Sequence, residues 1–404
     1  MTFATAVNKT LAYKAETTWG TAPSAGGAQY QRRVTSTLSL KKQTYESQEI
    51  NTSVQRQDFR HGVRSVGGSI TGELSAGTWK DFFAAVLRRA FTTVTAITGL
   101  SITISGTGPT WTVARSSGSW ITDGVKVGDI WRLTAGSFNA ANLNKNLIVV
   151  AETALNLTVA LFPSIPALVA EGPIATATLT LPGKKTFAPA SGQTDVSFSI
   201  EHYHQDLTLS ELFLGCKIDK MALGLPPTGM ATMSMDFMGK DITTAGSQYY
   251  TTPTVITSTG VLASVNGILQ AQGGVLATVT GLTININDNM SAEPLVGSNT
   301  YGDIAEGLIL VDGQVTAVFD SGTMRDYFIN ETEVALSVAM SASNVAGADF
   351  LAFTLPRIKF GGADKDDGQK TLIQTLPFTG LYNVAGGAGT TGEQSTLVVQ
   401  DSQA

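Results

Sequence analysis

Apolar residues recur at every second position through much of the chain, the pattern of strands with one buried face. In "GSITGELSAGTWKDFF", Gly68 to Phe83, the inward positions are Ile70, Gly72 and Leu74. At an offset of 245 residues, "GQVTAVFDSGTMRDYF", Gly313 to Phe328, places Val315, Ala317 and Phe319 alike, and six of the sixteen positions are identical. In each copy the period then changes. Gly77-Thr78 and Gly322-Thr323 open a T-x-x-D pattern that predicts a helix start. The Thr78 or Thr323 hydroxyl would cap it, with Asp81 or Asp326 in the first turn. Phe82, Phe83, Val86, Leu87 and Ala90 continue as a helical apolar face. Tyr327 and Phe328 continue the second copy, whose helix is expected to be shorter and to stop near Asn330. Trp79 lies with Phe82 and Phe83 on this face. Core or subunit packing explains all three better than a ligand groove.

The echo resumes downstream. Val196, Phe198 and Ile200 alternate in one strand, and Val334, Leu336 and Val338 do so 138 residues later. The fall in offset means that the first copy holds about 107 extra residues between its helix and its next strand. That gap contains six strand-like runs, from "LSITISG" to "ATATLTLP", separated by turns, which suggests a small inserted barrel or sandwich projecting from an exposed loop. The predicted organisation is a first unit of residues 1–94 and 188–242, interrupted by an inserted β domain at 95–187. A linker at 243–275, a second unit at 276–385 and a flexible C-terminal arm at 386–404 complete it. The fold class is mainly β (α+β), a tandem duplicated β-sandwich or barrel unit with a short flanking helix.

Composition agrees with many short strands and tight turns: 42 Gly against 13 Pro, 43% hydrophobic residues and 14% charged ones. So little charge implies that much of the surface meets other protein. The net charge of −6 lacks the basic face that gripping phosphates requires. The pairs Arg32-Arg33, Lys41-Lys42, Arg88-Arg89 and Lys184-Lys185 read as ordinary solvated pairs. One cysteine, Cys216, excludes an intramolecular disulfide, fits a reducing cytosol, and reads as a buried inert thiol. No signal peptide is expected from "MTFATAVNKT". The most apolar stretch is broken by Glu152, Asn156, Pro163 and Pro166, so no membrane span is expected.

Chemistry is sparse. His202 and His204 share a strand face and could share a metal to which Glu201 or Asp206 contributes, but with no Cys or third His nearby they read as surface histidines, and His61 stands alone. "GAGTTG", Gly387 to Gly392, has the letters of a dinucleotide loop without the strand and helix it needs. "DKDDG", Asp364 to Gly368, lacks the spacing of a calcium loop. No catalytic, metal or cofactor site is expected.

The segments "KAETTWGTAPS", "VTSTLSLKKQTYESQEI", "VGGSITGELSAGTWKDFFAAVLRR", "DLTLSELFLGCKIDKMALGLPPTGMATMSMDFMGKD" and "FTLPRIKF" resemble the tail tube (major tail) proteins of long-tailed bacteriophages or prophages. The resemblance implies two β-sheets with a flanking helix, self-association into rings, and rings stacked through a long loop and terminal arms. It implies a virion structural protein, assembled in the bacterial cytoplasm, whose bore passes DNA without specific binding. Tape-measure and tail terminator or tip proteins would be its partners. Gln43 to Val63 would be the inter-ring loop, with Tyr45, Glu46, Gln55, Arg56, Asp58 and Arg60 as contacts. Thr78, Trp79, Asp81, Phe82, Phe83 and their counterparts Thr323, Asp326, Tyr327 and Phe328 would pack helices in the assembly. Two units per chain would give a trimeric ring of pseudo-sixfold symmetry with the insert outside. If the second unit is an appendage, the ring would instead be hexameric. A secreted or surface β-rich adhesin or carbohydrate-binding module is the competing reading, and a hydrolase would need an acid, base or nucleophile that the chain does not group.

Overall fold

The computed structural model describes residues 3–404 except 256, 277, 367, 369 and 370. The first unit opens with β1 (Lys9–Ala15) and the short β2 (Gln29–Tyr30) and β3 (Thr35–Ser36). A long hairpin of β4 (Ser39–Glu46) and β5 (Phe59–Glu73) follows, then α1 (Lys80–Val86). Next come β6 (Ile97–Ser105), β7 (Thr110–Arg115), β8 (Ile130–Ala135), β9 (Leu147–Glu152), β10 (Asn156–Ala160) and β11 (Glu171–Thr180), which close into a barrel. The chain returns through β12 (Lys184–Phe187), β13 (Phe198–His204), β14 (Leu209–Leu225), β15 (Thr232–Gly239) and β16 (Asp241–Ala245). After β17 (Thr254–Val255), the second unit holds β18 (Gly267–Ala271), β19 (Gly274–Val275), β20 (Val279–Asn287), β21 (Leu310–Val318) and α2 (Thr323–Ile329). Its remaining strands are β22 (Val334–Ser341), β23 (Phe350–Phe360), β24 (Asp364–Asp366), β25 (Ile373–Gly380) and β26 (Val398–Asp401).

The strand pairings repeat with the sequence. In the first unit β1 pairs with β13, β13 with β14, β14 with β15, β15 with β5 and β5 with β4. In the second, β18 pairs with β22, β22 with β23, β23 with β25, β25 with β21 and β21 with β20. Even β16 on β14 has its counterpart in β26 on β23. Each unit is thus two layers around one core. β14 belongs to both layers: Leu209–Cys216 pairs with β13, and Lys217–Gly224 with β15. It turns at Gly215, whose φ of +68° suits glycine, and where a Cβ would lie 2.9 Å from Lys240.

On the open side of β14, Lys220–Leu225 pair antiparallel with β20 residues Leu282–Asn287. One sheet therefore runs through both units in the order β4-β5-β15-β14-β20-β21-β25. Its inner face, including Ile70, Met235, Ile284 and Val315, shares one apolar core with both units. The barrel has its own core around Trp120 and Trp131. It does not project freely: Ile130, Ile148 and Phe162 pack on Ile268, Phe350 and Ala352 of the second unit's β18-β22-β23 layer.

Several expectations need correction. Thr78 does not cap α1. Its hydroxyl bonds Ser75 Oγ at 2.5 Å, and the residues before the two helices are Trp79 and Gly322, neither making a side-chain cap. Both helices have seven residues, because α1 stops at Val86 and Arg88 turns to φ +54° instead of continuing to Ala90. The stretch taken as a linker contributes β18 to the second unit. The C-terminal residues do not form a flexible arm. β26 lies between β23 and β12, and Gln400 bonds the backbone of Ile130 in both directions at 2.9 Å. Val399, Leu397 and Asp401 are fully buried, which no solvated arm could be.

Phe82 sits at the centre of an aromatic cluster, 4.6 Å from Tyr13, 5.1 Å from Phe198 and 5.7 Å from Phe237 between centroids. Phe82→Ala should cost the unassembled chain about 3–5 kcal/mol. Phe328→Ala on the half-exposed α2 should cost less than about 1 kcal/mol. Urea denaturation of both variants checks the contrast, and equal losses would contradict it.

Candidate assembly surface

Alternation along the shared sheet sends polar side chains to its second face. Thr71 and Glu73 of β5, Ser234 and Asp236 of β15, and Asn285 of β20 lie there, alternating with the core residues. Hydroxyls and amides cross-link this face. Thr35 and Thr71 Oγ1 are 2.6 Å apart, and Asn285 donates to Asp312 Oδ1 at 2.8 Å. The face is wetted, carries the lysines Lys41 and Lys220 beside its carboxylates, with Lys220 directly opposite Asp236, and is continuous across the boundary between units.

The β4–β5 hairpin extends past the body. At its base Tyr45 donates to Gln43 Oε1, and Glu46 pairs with Arg56 at 2.8 Å. Asp58 pairs with Arg60 at 2.8 Å, and the hydrogen bond from Arg60 draws the Asp58 carboxyl below its usual range. Gln55 accepts at its carbonyl from Asn51 and Gln57. These residues share one arm, in which Glu46, Arg56, Asp58 and Arg60 are paired while Glu49 is exposed. Ile50 and Val54 at the tip are fully exposed, an apolar pair that the sequence reading overlooked. The signal was two aliphatic residues in an otherwise polar turn.

The two helices are placed differently. Trp79, Phe82 and Phe83 are buried, Trp79 Nε1 donates to Glu73 O, and Tyr13 Oη donates to Asp81 at 2.9 Å. Burial and the nearby Asp81 push the Tyr13 hydroxyl well above its ordinary pKa. Phe83 reaches across the boundary to Phe353 of the second unit, 5.6 Å between centroids. On α2, Thr323 and Phe328 are exposed and Asp326 is half-buried, its side chain bonding only its neighbour Arg325, while Tyr327 is partly buried against the shared core and no α2 residue is fully buried.

Two basic pairs read as solvated are half internal. Arg88 is buried and reaches Glu306 at 3.1 Å, Asp288 at 3.8 Å and Gly307 O at 2.8 Å, all in the second unit. Burial raises the Asp288 carboxyl to about 7, with Arg88 opposing. Lys185 is buried against Asp129 at 2.6 Å and Glu393 at 3.0 Å. Burial disfavours its ammonium, but the two carboxylates outweigh that and raise its pKa. These contacts tie the barrel's base to the C-terminal segment.

The remaining chemical candidates are structural. Lys126 Nζ donates to the carbonyls of Gly387 and Thr390, so "GAGTTG" receives a lysine through its oxygens. His202 is buried rather than superficial, its Nε2 2.8 Å from Ser36 Oγ. Burial depresses its pKa to about 3, so the ring is neutral. His204 lies 3.5 Å from Glu211. Burial pushes the Cys216 thiol far above its usual range. Among the described residues no three His, Cys, Asp or Glu side chains converge as a metal site would need. Asp367 of "DKDDG" lies outside the described residues. Among those residues no helix is long and apolar enough to cross a membrane.

Glu152 gives a pH dependence. Both its oxygens are buried without a hydrogen-bond partner, and burial raises its pKa to about 8. The fold therefore keeps a proton that the unfolded chain releases near pH 4.5. This group's effect on stability is least adverse below that pH, worsens as pH rises to about 8, and is fully adverse above. Glu152→Gln should stabilise the chain at pH 9 by on the order of 1–2 kcal/mol, after allowance for partial solvent access, and change little at pH 4. Thermal melts at both pH values test this, and an equal shift at each would contradict it.

A family model described as phage tail tube protein matches residues 6–380. No curated protein matches the chain.

Proposed function

The chain belongs to the phage tail tube protein family, and from that premise we propose that three copies close into a ring of pseudo-sixfold symmetry. Stacked rings then form the tail tube through which DNA leaves the virion. The observation that carries this reading is the single sheet that crosses from the first unit into the second through β14 and β20. A sheet that continues from unit to unit can continue from chain to chain, and closure removes its edges.

In this reading the polar face of the sheet lines the bore. Glu73, Asp236 and Asp312 stand among its hydroxyls and amides, and with Lys220 set opposite Asp236 and Lys41 among hydroxyls it offers phosphates no continuous basic track. The barrel docks on the β18-β22-β23 layer of the second unit, away from that face, and so decorates the outside. The β4–β5 arm reaches the next ring, with Ile50 and Val54 buried on stacking. Tape-measure and terminator or tip proteins meet the ring from inside and at its ends. The role is structural and non-enzymatic, exercised in the virion tail after assembly in the host cytoplasm.

Electron microscopy of the purified protein, with native mass of its soluble fraction, tests the proposal. Hollow tubes and three-chain rings are expected. Six-chain rings would keep the conduit and overturn the pseudo-sixfold ring, and a monomer at every concentration would overturn both. Ile50→Asp with Val54→Asp should leave rings intact and stop them stacking, read as single rings on grids. Long tubes from that variant would remove the arm from the inter-ring contact.

A further inference from the structure

The seam between the two units is a template for a contact that the chain makes with none of its own residues. The unit correspondence carries β20 onto β4, because Asn285 opposes Asp312 as Ser39 opposes Gly67, 245 residues earlier. It carries the end of β14 onto β24, because Ala222 opposes Ser234 as Asp364 opposes Thr375. Inside the chain Ala222 and Asn285 are direct partners across the seam. Among the described residues β4 pairs only with β5, and β24 only with β25. Each therefore keeps one open edge, and β24 and nearly all of β4 are exposed.

The helices give an independent indication. Phe83 of α1 is 1% exposed because it packs on Phe353 of the following unit. Its counterpart Phe328 is 38% exposed, and its neighbour Ile329 is 62% exposed. α2 thus presents to solvent the apolar surface that α1 buries against the unit after it.

The charges agree, with their signs exchanged. At the inner seam Arg88, just past α1, faces Asp288 at the end of β20. The position matching Asp288 is Lys42 on β4, and the residues just past α2 are Glu331 and Glu333, which Lys359 and Arg357 of the same chain already reach at 3.7 Å and 2.5 Å, so that Lys42 would join existing ion pairs.

We propose that the chain binds a second copy of itself head to tail through these two ends. β24 of one chain pairs antiparallel with β4 of the next, Asp364 opposite Ser39, while Phe328 is covered and Lys42 meets Glu331 and Glu333. The contact rests on the tube reading and specifies its register. It is heterologous, so it repeats around a closed ring. The exchanged signs also enforce alternation of units. A first unit following a first unit would set Lys42 beside Arg88, and a second following a second would set Asp288 beside Glu331, both like-charge pairs that cost binding.

A cysteine pair reads the register. Directly opposed residues on neighbouring strands have Cβ atoms about 4.5–5.5 Å apart, close to disulfide reach. Ser39→Cys with Asp364→Cys should give covalent multimers on mild oxidation of assembled protein, while Thr44→Cys with Asp364→Cys should not. The native Cys216 is buried and stays silent. Tubes that show no cross-link, or equal cross-linking from both pairs, would overturn the interface and leave the tube reading standing. A wild-type chain that never assembles would overturn both. Lys42→Glu should raise the concentration needed for assembly by about fivefold, and adding Glu331→Lys should restore it. An unchanged threshold for Lys42→Glu would overturn the charge match.

Discussion

The hydrogen-bonding demand of the strand edge governs this molecule. Every extended strand carries N–H and C=O groups on both sides, and a sheet can only pass the unmet set along to its last strand. β14 meets the demand by serving two layers, pairing first with β13 and then, past Gly215, with β15 and β20. The second unit is thereby fixed in register to the first, and the common core follows from that register. The polar face follows too, since a period of two with one face buried leaves the other to water.

The two helices show how one local sequence takes two environments. Both follow a Gly-Thr step, α1 two residues after Thr78 and α2 beginning at Thr323 itself, carry an aspartate in the first turn and run for seven residues. α1 buries Phe82 within its own unit, against Tyr13, Phe198 and Phe237, and Phe83 against Phe353 of the unit after it. Among the described residues α2 has no such neighbour over Phe328, which remains at the surface. The two helices have the same length despite different residues, and packing context decides which apolar side chains are buried.

Much of this architecture was legible in the amino-acid order. The offset of 245 at Gly68 and Gly313 located the repeated strand and helix, and the drop to 138 located the inserted strands, because periodicity and spacing survive without knowledge of contacts. Burial of charge was not legible. Nothing in Arg88-Arg89 or Lys184-Lys185 distinguishes a solvated pair from one whose member meets Asp288 or Asp129 far along the chain. β26 was missed for a similar reason: four residues, Val398–Asp401, become a strand only because β23 and β12 leave a slot between them. The α1 cap failed because Ser75 takes the Thr78 hydroxyl, and the α2 cap because Thr323 is itself the first helical residue, leaving Gly322 at the cap. The arm was readable as a loop, but its apolar tip was masked by polar neighbours.

The peptide link between the two units has a kinetic meaning. In the proposed ring, every second seam is already made when the chain folds, at an effective concentration set by a tether and not by the cell. A six-unit ring then needs three molecules to meet rather than six, and the order of its assembly in free subunit is halved. Such a ring would nucleate sooner at low expression. It would also lose the freedom to mix its two kinds of unit in any but a fixed proportion.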